Sequence, residues 1–131
     1  MSKTIVFVNI IVIDVQYKGD YMDKYHTYTT KEIEAKVDAY ISQFEEGYFS
    51  PLALMARLTE EAGELAREIN HTYGEKPKKT TEEIKSIEEE IGDIMFVLAC
   101  LTNSLDLDLS KAFHTTMSKI ETRDKDRWTR K

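Results

Sequence analysis

Two short segments of the sequence each carry a pair of acidic residues three positions apart, with a glycine between them. Glu61 and Glu64 frame the first segment, EAGEL, and Glu90 and Asp93 frame the second, EIGDI. Residues three apart share one face of an α-helix, so each pair can direct two carboxylates at one point. A mid-helix glycine costs about 1 kcal/mol relative to alanine, but it lets a ligand or another backbone approach closely. The same costly feature beside two acid pairs indicates a shared purpose.

The positions of these acids favour a metal site. Glu61 lies within about 40° of Leu54 and Leu65 on a helical wheel, at the edge of an apolar stripe. Asp93 directly precedes the apolar run 94–101. Carboxylates directed toward a core repel one another unless a cation or proton intervenes, and Mg²⁺ and Mn²⁺ prefer carboxylate oxygens. The alternative is that the four acids line solvated helix faces, because glutamate is a common helix former.

The C-terminal stretch has the opposite charge. Lys119, Arg123 and Arg127 recur every four residues, which places them on one face of a helix. Such a row can hold phosphate groups, which arginine binds in a bidentate manner. The same residues can instead stabilise the negative end of their own helix dipole, and the sequence leaves both interpretations open.

The composition limits the class of protein. The 131 residues, 41% hydrophobic and 32% charged, fit one globular domain. A net charge of −6 argues against a nucleic acid polymer as partner and favours cations. The lone cysteine excludes an internal disulfide and a cysteine-based zinc site, and it indicates a reducing, cytoplasmic setting. The longest apolar run, residues 94–101, is too short to span a membrane.

Hydrophobic periodicity and few turn residues (five Gly, two Pro) predict four helices. Capping boxes or cap residues mark the first three starts at Thr29, Ser50 and Thr80, and the last helix is predicted to begin at about Ser110. The first helix is predicted to end near Gly47 and the second near Gly74. The third is apolar on every side from Ile94 to Leu101, which predicts burial on every side. Short connections between the helices predict an all-α, antiparallel four-helix bundle.

The N-terminal stretch does not fit this pattern. Residues 5–15 read IVFVNIIVIDV and could form a buried β-strand. A signal peptide is disfavoured because no small-residue cleavage site follows. We favour either a loosely packed strand or an extension over residues 1–21 that lies outside a working domain of residues 22–131.

Together these motifs resemble the MazG-like all-α nucleoside triphosphate pyrophosphohydrolases. The resemblance lies in LTEEAGELAREIN, EEEIGDIMFVLACL and the basic pair ahead of Arg127-Trp128, and it covers about residues 30–128. It implies a Mg²⁺-dependent enzyme, with Mn²⁺ as an alternative metal, that splits an NTP or dNTP into the monophosphate and pyrophosphate. It also implies dimers or tetramers with sites near subunit interfaces, and for some members the removal of modified nucleotides from the pool.

The resemblance also implies roles for individual residues. The metal ligands would be Glu61, Glu64, Glu90 and Asp93. Glu60 completes the family's EExxE form and would act beside the metal or, with Glu61, on the attacking water. Phosphate contacts would come from Lys119, Arg123 and Arg127. A base would stack on aromatic residues that precede the second helix, namely Phe44, Tyr48 and Phe49.

Two other functions are compatible with helices rich in acids. A di-iron carboxylate bundle needs Glu-x-x-His on two helices; Glu68 and His71 form one such motif, but Lys111 stands three before His114 where a second would need an acid. A non-catalytic helical interaction module would bind no metal and would not be stabilised by Mg²⁺.

Overall fold

The computed structural model describes residues 26–81 and 85–131. They form four α-helices, which we number α1 (Thr30–Ile41), α2 (Pro51–Tyr73), α3 (Ile87–Ser104) and α4 (Leu109–Arg123). The all-α class predicted from the sequence is confirmed. The predicted N-terminal extension, residues 1–21, lies outside the described residues. In the part of the chain that the structure describes, no helix is long and apolar enough to cross a bilayer.

Three of the predicted helix boundaries are confirmed by their capping contacts. The Thr29 hydroxyl accepts the backbone N–H of Glu32, and the Glu32 carboxylate accepts the N–H of Thr29 at 2.7 Å. Ser50 caps α2 with proline at its first position, and Gly74 caps its end. These contacts satisfy backbone groups that have no partner within the helix.

The predicted end of α1 near Gly47 is wrong, because the helix ends at Ile41. Beyond it the chain tightens into a turn in which the N–H of Phe44 donates to the carbonyl of Ile41. Gly47 has φ of +62°, a conformation that glycine adopts without strain. Tyr48 is thereby turned back toward α1, where its hydroxyl donates to Asp38 at 2.8 Å.

The predicted start of the third helix at Thr80 is also wrong, since α3 begins at Ile87. Glu83, the second half of the predicted capping box, lies outside the described residues. Ser86 is the observed cap: its hydroxyl accepts the N–H of Glu89, and the Glu89 carboxylate accepts the N–H of Ser86. The sequence contains two such signals six residues apart, and the later one starts the helix.

Helix α3 is the central element, and α1 and α2 both run antiparallel to it. The start of α2 lies near the end of α3, where Leu54 and Cys100 share a core cluster. Further along α2, Glu64 lies beside Glu90 at the start of α3. On the other side, Asn103 near the end of α3 donates to the carbonyl of Glu34 early in α1.

The prediction that residues 94–101 are buried on every side is only partly right. Val97, Ala99 and Cys100 are buried, but Met95 and Phe96 are 45% and 40% exposed. The reason is that α1 and α2 cover two sides of α3 while α4 packs against α1 instead. One face of α3 is therefore left uncovered by residues 26–81 and 85–131.

Helix α4 is attached to α1 by polar contacts at its first turn. The buried carboxylate of Glu34 accepts the N–H of Leu109 at 2.8 Å, and Lys31 pairs with the capping residue Asp108. No residue of α4 is buried. The basic C-terminal stretch is therefore carried on the outer side of α1.

Candidate metal centre and active site

The first acid pair lies on the face of α2 that packs against α3. Glu61 is 5% exposed and Glu64 is half-buried. Arg57, one turn earlier, approaches Glu61 with 3.0 Å between guanidinium nitrogen and carboxylate oxygen. The stripe-edge position that the sequence predicts for Glu61 thus places its carboxylate inside the helix interface.

Glu90 on α3 faces the same interface and is the most buried acid of the site. It is 0% exposed, and neither of its carboxylate oxygens has a hydrogen-bond partner among the described residues. The ammonium group of Lys85 lies 3.6 Å from Oε1, beyond hydrogen-bond distance. Burying a carboxylate without partners is costly, so Glu90 requires a positive charge in contact with it.

Glu61, Glu64 and Glu90 together form a group suited to a metal ion, which we call the carboxylate cluster. Each of the three offers an oxygen, and these oxygens all lie within 4.8 Å of one another. Oxygen ligands at this spacing fit a hard divalent cation such as Mg²⁺ or Mn²⁺. The unpartnered oxygens of Glu90 are the independent sign that a cation belongs there.

The other two predicted acids lie at the edge of the cluster. Asp93 is exposed and lines a cavity together with Glu61. Glu60 is exposed and pairs with Arg57 at 3.4 Å. Both are exposed to solvent, and neither belongs to the three-carboxylate group.

Lys85 neutralises part of the cluster. Its ammonium donates to Glu64 at 2.9 Å. This hydrogen bond is the main reason that the pKa of the Glu64 carboxyl is lowered and the pKa of Lys85 is raised. Glu64 is thereby held in its ionised form, the form that binds metal.

A cavity of about 340 Å³ opens beside the cluster. Glu61 and Asp93 stand at its acidic end, and much of the remaining wall is aromatic. The aromatic residues include the three predicted to stack on a base, and the full aromatic set is Tyr40, Phe44, Tyr48, Phe49 and Phe96. The structure thus brings this loop and one member of each acid pair, Glu61 and Asp93, to one cavity.

Tyr48 is fixed in the cavity wall by two hydrogen bonds. Its hydroxyl donates to Asp38 at 2.8 Å and accepts from Asn103 at 3.0 Å. Burial, together with the hydrogen bond to Asp38, raises the pKa of Tyr48 to about 12. Its ring therefore has a defined orientation, whereas Phe44 and Phe49 are about half or more exposed.

The predicted phosphate contacts are not brought to the cluster within one chain. Lys119 is exposed on α4. Arg123 makes a bidentate pair with Asp124, and Arg127 approaches the same carboxylate at 3.4 Å. Since α4 packs mainly against α1, these cations lie apart from the acids of α2 and α3.

Both mid-helix glycines differ in part from their predicted use. A side chain at Gly63 or Gly92 would meet no atom within 4 Å among the described residues. Both positions are exposed, because each lies about half a turn from the acid-bearing face of its helix. Among the described residues, no other backbone approaches either glycine, and the approach of a ligand there stays a prediction.

Three residues of the site carry weak sequence signals. Arg57 and Lys85 are the two cations that contact the cluster. Lys85 lies outside any helix, so helical spacing cannot predict that it approaches the acids. Glu68 is buried and bound by Lys78 at 2.8 Å. The 61-64-68 spacing does place Glu68 on the same face.

No histidine joins the carboxylate cluster in the described part of the chain, which counts against the di-iron alternative.

Comparison with known proteins gives a family match and similar solved structures. The sequence profile of the MazG nucleotide pyrophosphohydrolase domain matches residues 49–128. YpjD of Bacillus subtilis is 71% identical over 103 residues, which make up 79% of this chain and 93% of YpjD. The YpjD crystal structure has a TM-score of 0.65, 66% identity, and coverage of 72% of this chain and 97% of its own. A Bacillus-conserved MazG protein, a nucleotide pyrophosphohydrolase, has a TM-score of 0.66 and 57% identity, covering 78% and 99%.

The profile match includes α2, α3 and α4 with both acid pairs, so the protein is a hydrolase with an all-α fold. The chain belongs to the MazG nucleotide pyrophosphohydrolase family. Membership of an enzyme family decides against the non-catalytic interaction module.

Replacing Glu90 should separate metal binding from folding. Glu90→Gln removes a buried charge, so the metal-free protein should melt at the same or a higher temperature. Wild type at a Mn²⁺ concentration of one hundred times Kd should gain about 2.7 kcal/mol, and Glu90→Gln should gain little. Thermal melts with Mn²⁺ and with EDTA measure both quantities. Glu88→Gln, at an exposed neighbour, is the control; an unchanged Mn²⁺ gain in Glu90→Gln would contradict the assignment.

Proposed function

We propose that the protein is a Mg²⁺-dependent pyrophosphohydrolase that cleaves an NTP or dNTP into the nucleoside monophosphate and pyrophosphate, with Mn²⁺ able to replace Mg²⁺. By its resemblance to relatives, we further propose that it clears unwanted nucleotides from the pool. One observation carries the metal dependence: a fully buried carboxylate without hydrogen bonds, Glu90, lies within a group of three. Such a group binds triphosphate only through a cation, because both are negative.

The polarity of the cavity supports a nucleotide as the substrate. A nucleotide has a flat, weakly polar base at one end and an anionic chain of phosphates at the other. The cavity is lined by the aromatic rings of Phe44, Tyr48 and Phe49 and by the carboxylates of Glu61 and Asp93. Two further charged residues, Glu46 and Arg57, also line it. Its volume of about 340 Å³ falls in the range of small-molecule sites. We therefore propose base stacking on the aromatic wall and phosphates at the cluster.

Each acid is assigned a role by its position. Glu61, Glu64, Glu90 and Asp93 would hold the metal, which supplies charge neutralisation on the phosphate oxygens and favours a deprotonated water. Glu60 is exposed beside the cluster, so it can accept a proton from water. Glu61 would orient that water as well as bind metal.

We also propose that the enzyme works as a homo-oligomer, because α2 presents an apolar stripe that none of the described residues covers. Leu52 and Tyr73 at its ends are 83% and 81% exposed. Exposed Met55, Ala62, Ala66 and Ile69 lie between them at helical spacing. Ile91 and Met95 extend the surface onto α3. Exposed apolar surfaces of this extent mark interfaces, and a second copy of the chain offers the matching surface.

A charge in the stripe should separate the subunits. Ala66→Arg places a long cation at the middle of the proposed interface, where an unpaired charge is costly. Light scattering coupled to gel filtration should show a smaller particle than wild type. Ala112→Arg, at an exposed alanine of α4, should leave the assembly unchanged. A monomeric wild type would contradict the oligomer.

The products of the reaction test the proposed activity. The purified protein with Mg²⁺ is incubated with a panel of NTPs and dNTPs, and the products are separated and quantified. Pyrophosphate and nucleoside monophosphate should form in equal amounts, and EDTA should stop the reaction. Glu61→Gln and Asp93→Asn should be folded and inactive. Release of orthophosphate and diphosphate, or full turnover in either variant, would contradict the proposal.

The role of Arg123 can be decided by one substitution. If it contacts phosphates, Arg123→Ala loses a charged contact of about 1.5–3 kcal/mol, and kcat/KM falls about ten- to a hundred-fold. If Arg123 only stabilises the negative end of its helix dipole and pairs with Asp124, the free energy of unfolding of Arg123→Ala falls by about 0.3–1 kcal/mol and its kinetics stay unchanged. We expect the kinetic loss. Lys125→Ala removes one positive charge nearby and serves as the control for net charge.

A further inference from the structure

Lys85 occupies a defined place at the entrance to the carboxylate cluster. It precedes the capping residue of α3, whose box with Glu89 fixes the backbone at this point. Its side chain is about one-third exposed. The stem therefore starts from a fixed backbone at the surface, while the ammonium group is directed inward.

The ammonium group lies between two carboxylates of the cluster. It is 2.9 Å from Glu64 Oε2 and 3.6 Å from Glu90 Oε1. Among the described residues, Lys85 thus brings a positive charge within 4 Å of the buried Glu90 carboxylate. In the absence of metal, Lys85 thus supplies the positive charge that the buried carboxylate requires.

A metal ion and this ammonium group cannot hold the same place. An ammonium group has three donors and no lone pair, so it cannot be a ligand of the metal. Two cations sharing the carboxylates of Glu64 and Glu90 would lie within a few ångströms of each other and repel, most of all beside the fully buried Glu90. Binding of the metal at the cluster therefore requires Lys85 to leave.

We propose that Lys85 is an internal counter-ion of the carboxylate cluster: it occupies the cluster when metal is absent, competes with the metal, and turns out into solvent when the metal binds. This inference rests on the proposed metal site. It makes Lys85 a residue that sets metal affinity. The exposed stem provides the path outward, and the capped start of α3 lets the side chain move without the helix.

Lys78 provides a contrast within the same protein. It binds the buried carboxylate of Glu68 at 2.8 Å in a similar lysine–glutamate pair. Glu68 does not belong to the three-carboxylate group. The Lys78 pair should therefore stay closed when metal binds, whereas the Lys85 pair should open.

The test is the affinity for Mn²⁺, measured without substrate by titration calorimetry or by electron paramagnetic resonance of free Mn²⁺. Lys85→Met removes the competitor and should bind Mn²⁺ about ten-fold more tightly than wild type, as expected for the loss of one competing charge-assisted hydrogen bond. Lys85→Arg keeps a positive charge and should bind no more tightly than wild type. Lys79→Met, at an exposed lysine before the cluster, controls for net charge. Unchanged or weaker binding by Lys85→Met would overturn the proposal.

A second measurement uses the wild-type chain, in case Lys85→Met does not fold without metal. The ¹⁵N-labelled ammonium signal of Lys85, assigned through Lys85→Arg, should be protected from exchange with water in EDTA. It should lose that protection on addition of Mg²⁺, while the signal of Lys78 should keep it. Persistence of both signals in saturating Mg²⁺ would overturn the proposal. If wild type binds no metal at all, the proposed metal site fails instead.

Discussion

The structure depends on one buried carboxylate, that of Glu90, which needs a positive charge beside it. Glu90 is removed from water at the interface of α2 and α3 and accepts no hydrogen bond from the described residues. An isolated buried charge of this kind is costly to a marginally stable fold. Positive charge at the cluster therefore stabilises this interface. In this view the metal is part of the helix packing as well as of the chemistry.

This constraint explains how the elements around the cluster are arranged. The capped start of α3 places Lys85 where it can approach Glu64 and Glu90. Arg57, one turn before Glu61, partly neutralises the negative charge of the Glu61 carboxylate. The turn after α1 then folds Tyr48 back and closes an aromatic cavity beside the acids. A charged centre with an apolar neighbour is the combination that a nucleotide bridged by metal requires.

Much of the fold and part of the site follow from the sequence, and the failures have physical causes. The acid pairs and most helix caps obey local spacing rules, so Thr29, Ser50 and the Glu61 stripe position were predictable. The start of α3 was not, because the sequence has capping signals at both Thr80 and Ser86 and local rules do not rank them. Lys85 acts from outside a helix, so no periodicity reveals it. The exposure of Met95 and Phe96 depends on what covers α3, which no local pattern contains.

The place of the metal is tested most directly by a crystal of the protein grown with Mn²⁺ and measured on both sides of the manganese absorption edge. The account predicts an anomalous peak between Glu61, Glu64 and Glu90, at about 2.2 Å from their oxygens as is usual for small divalent ions, with the ammonium group of Lys85 withdrawn from Glu64. A cluster without a peak in saturating Mn²⁺, with Lys85 still bridging Glu64 and Glu90, would contradict it.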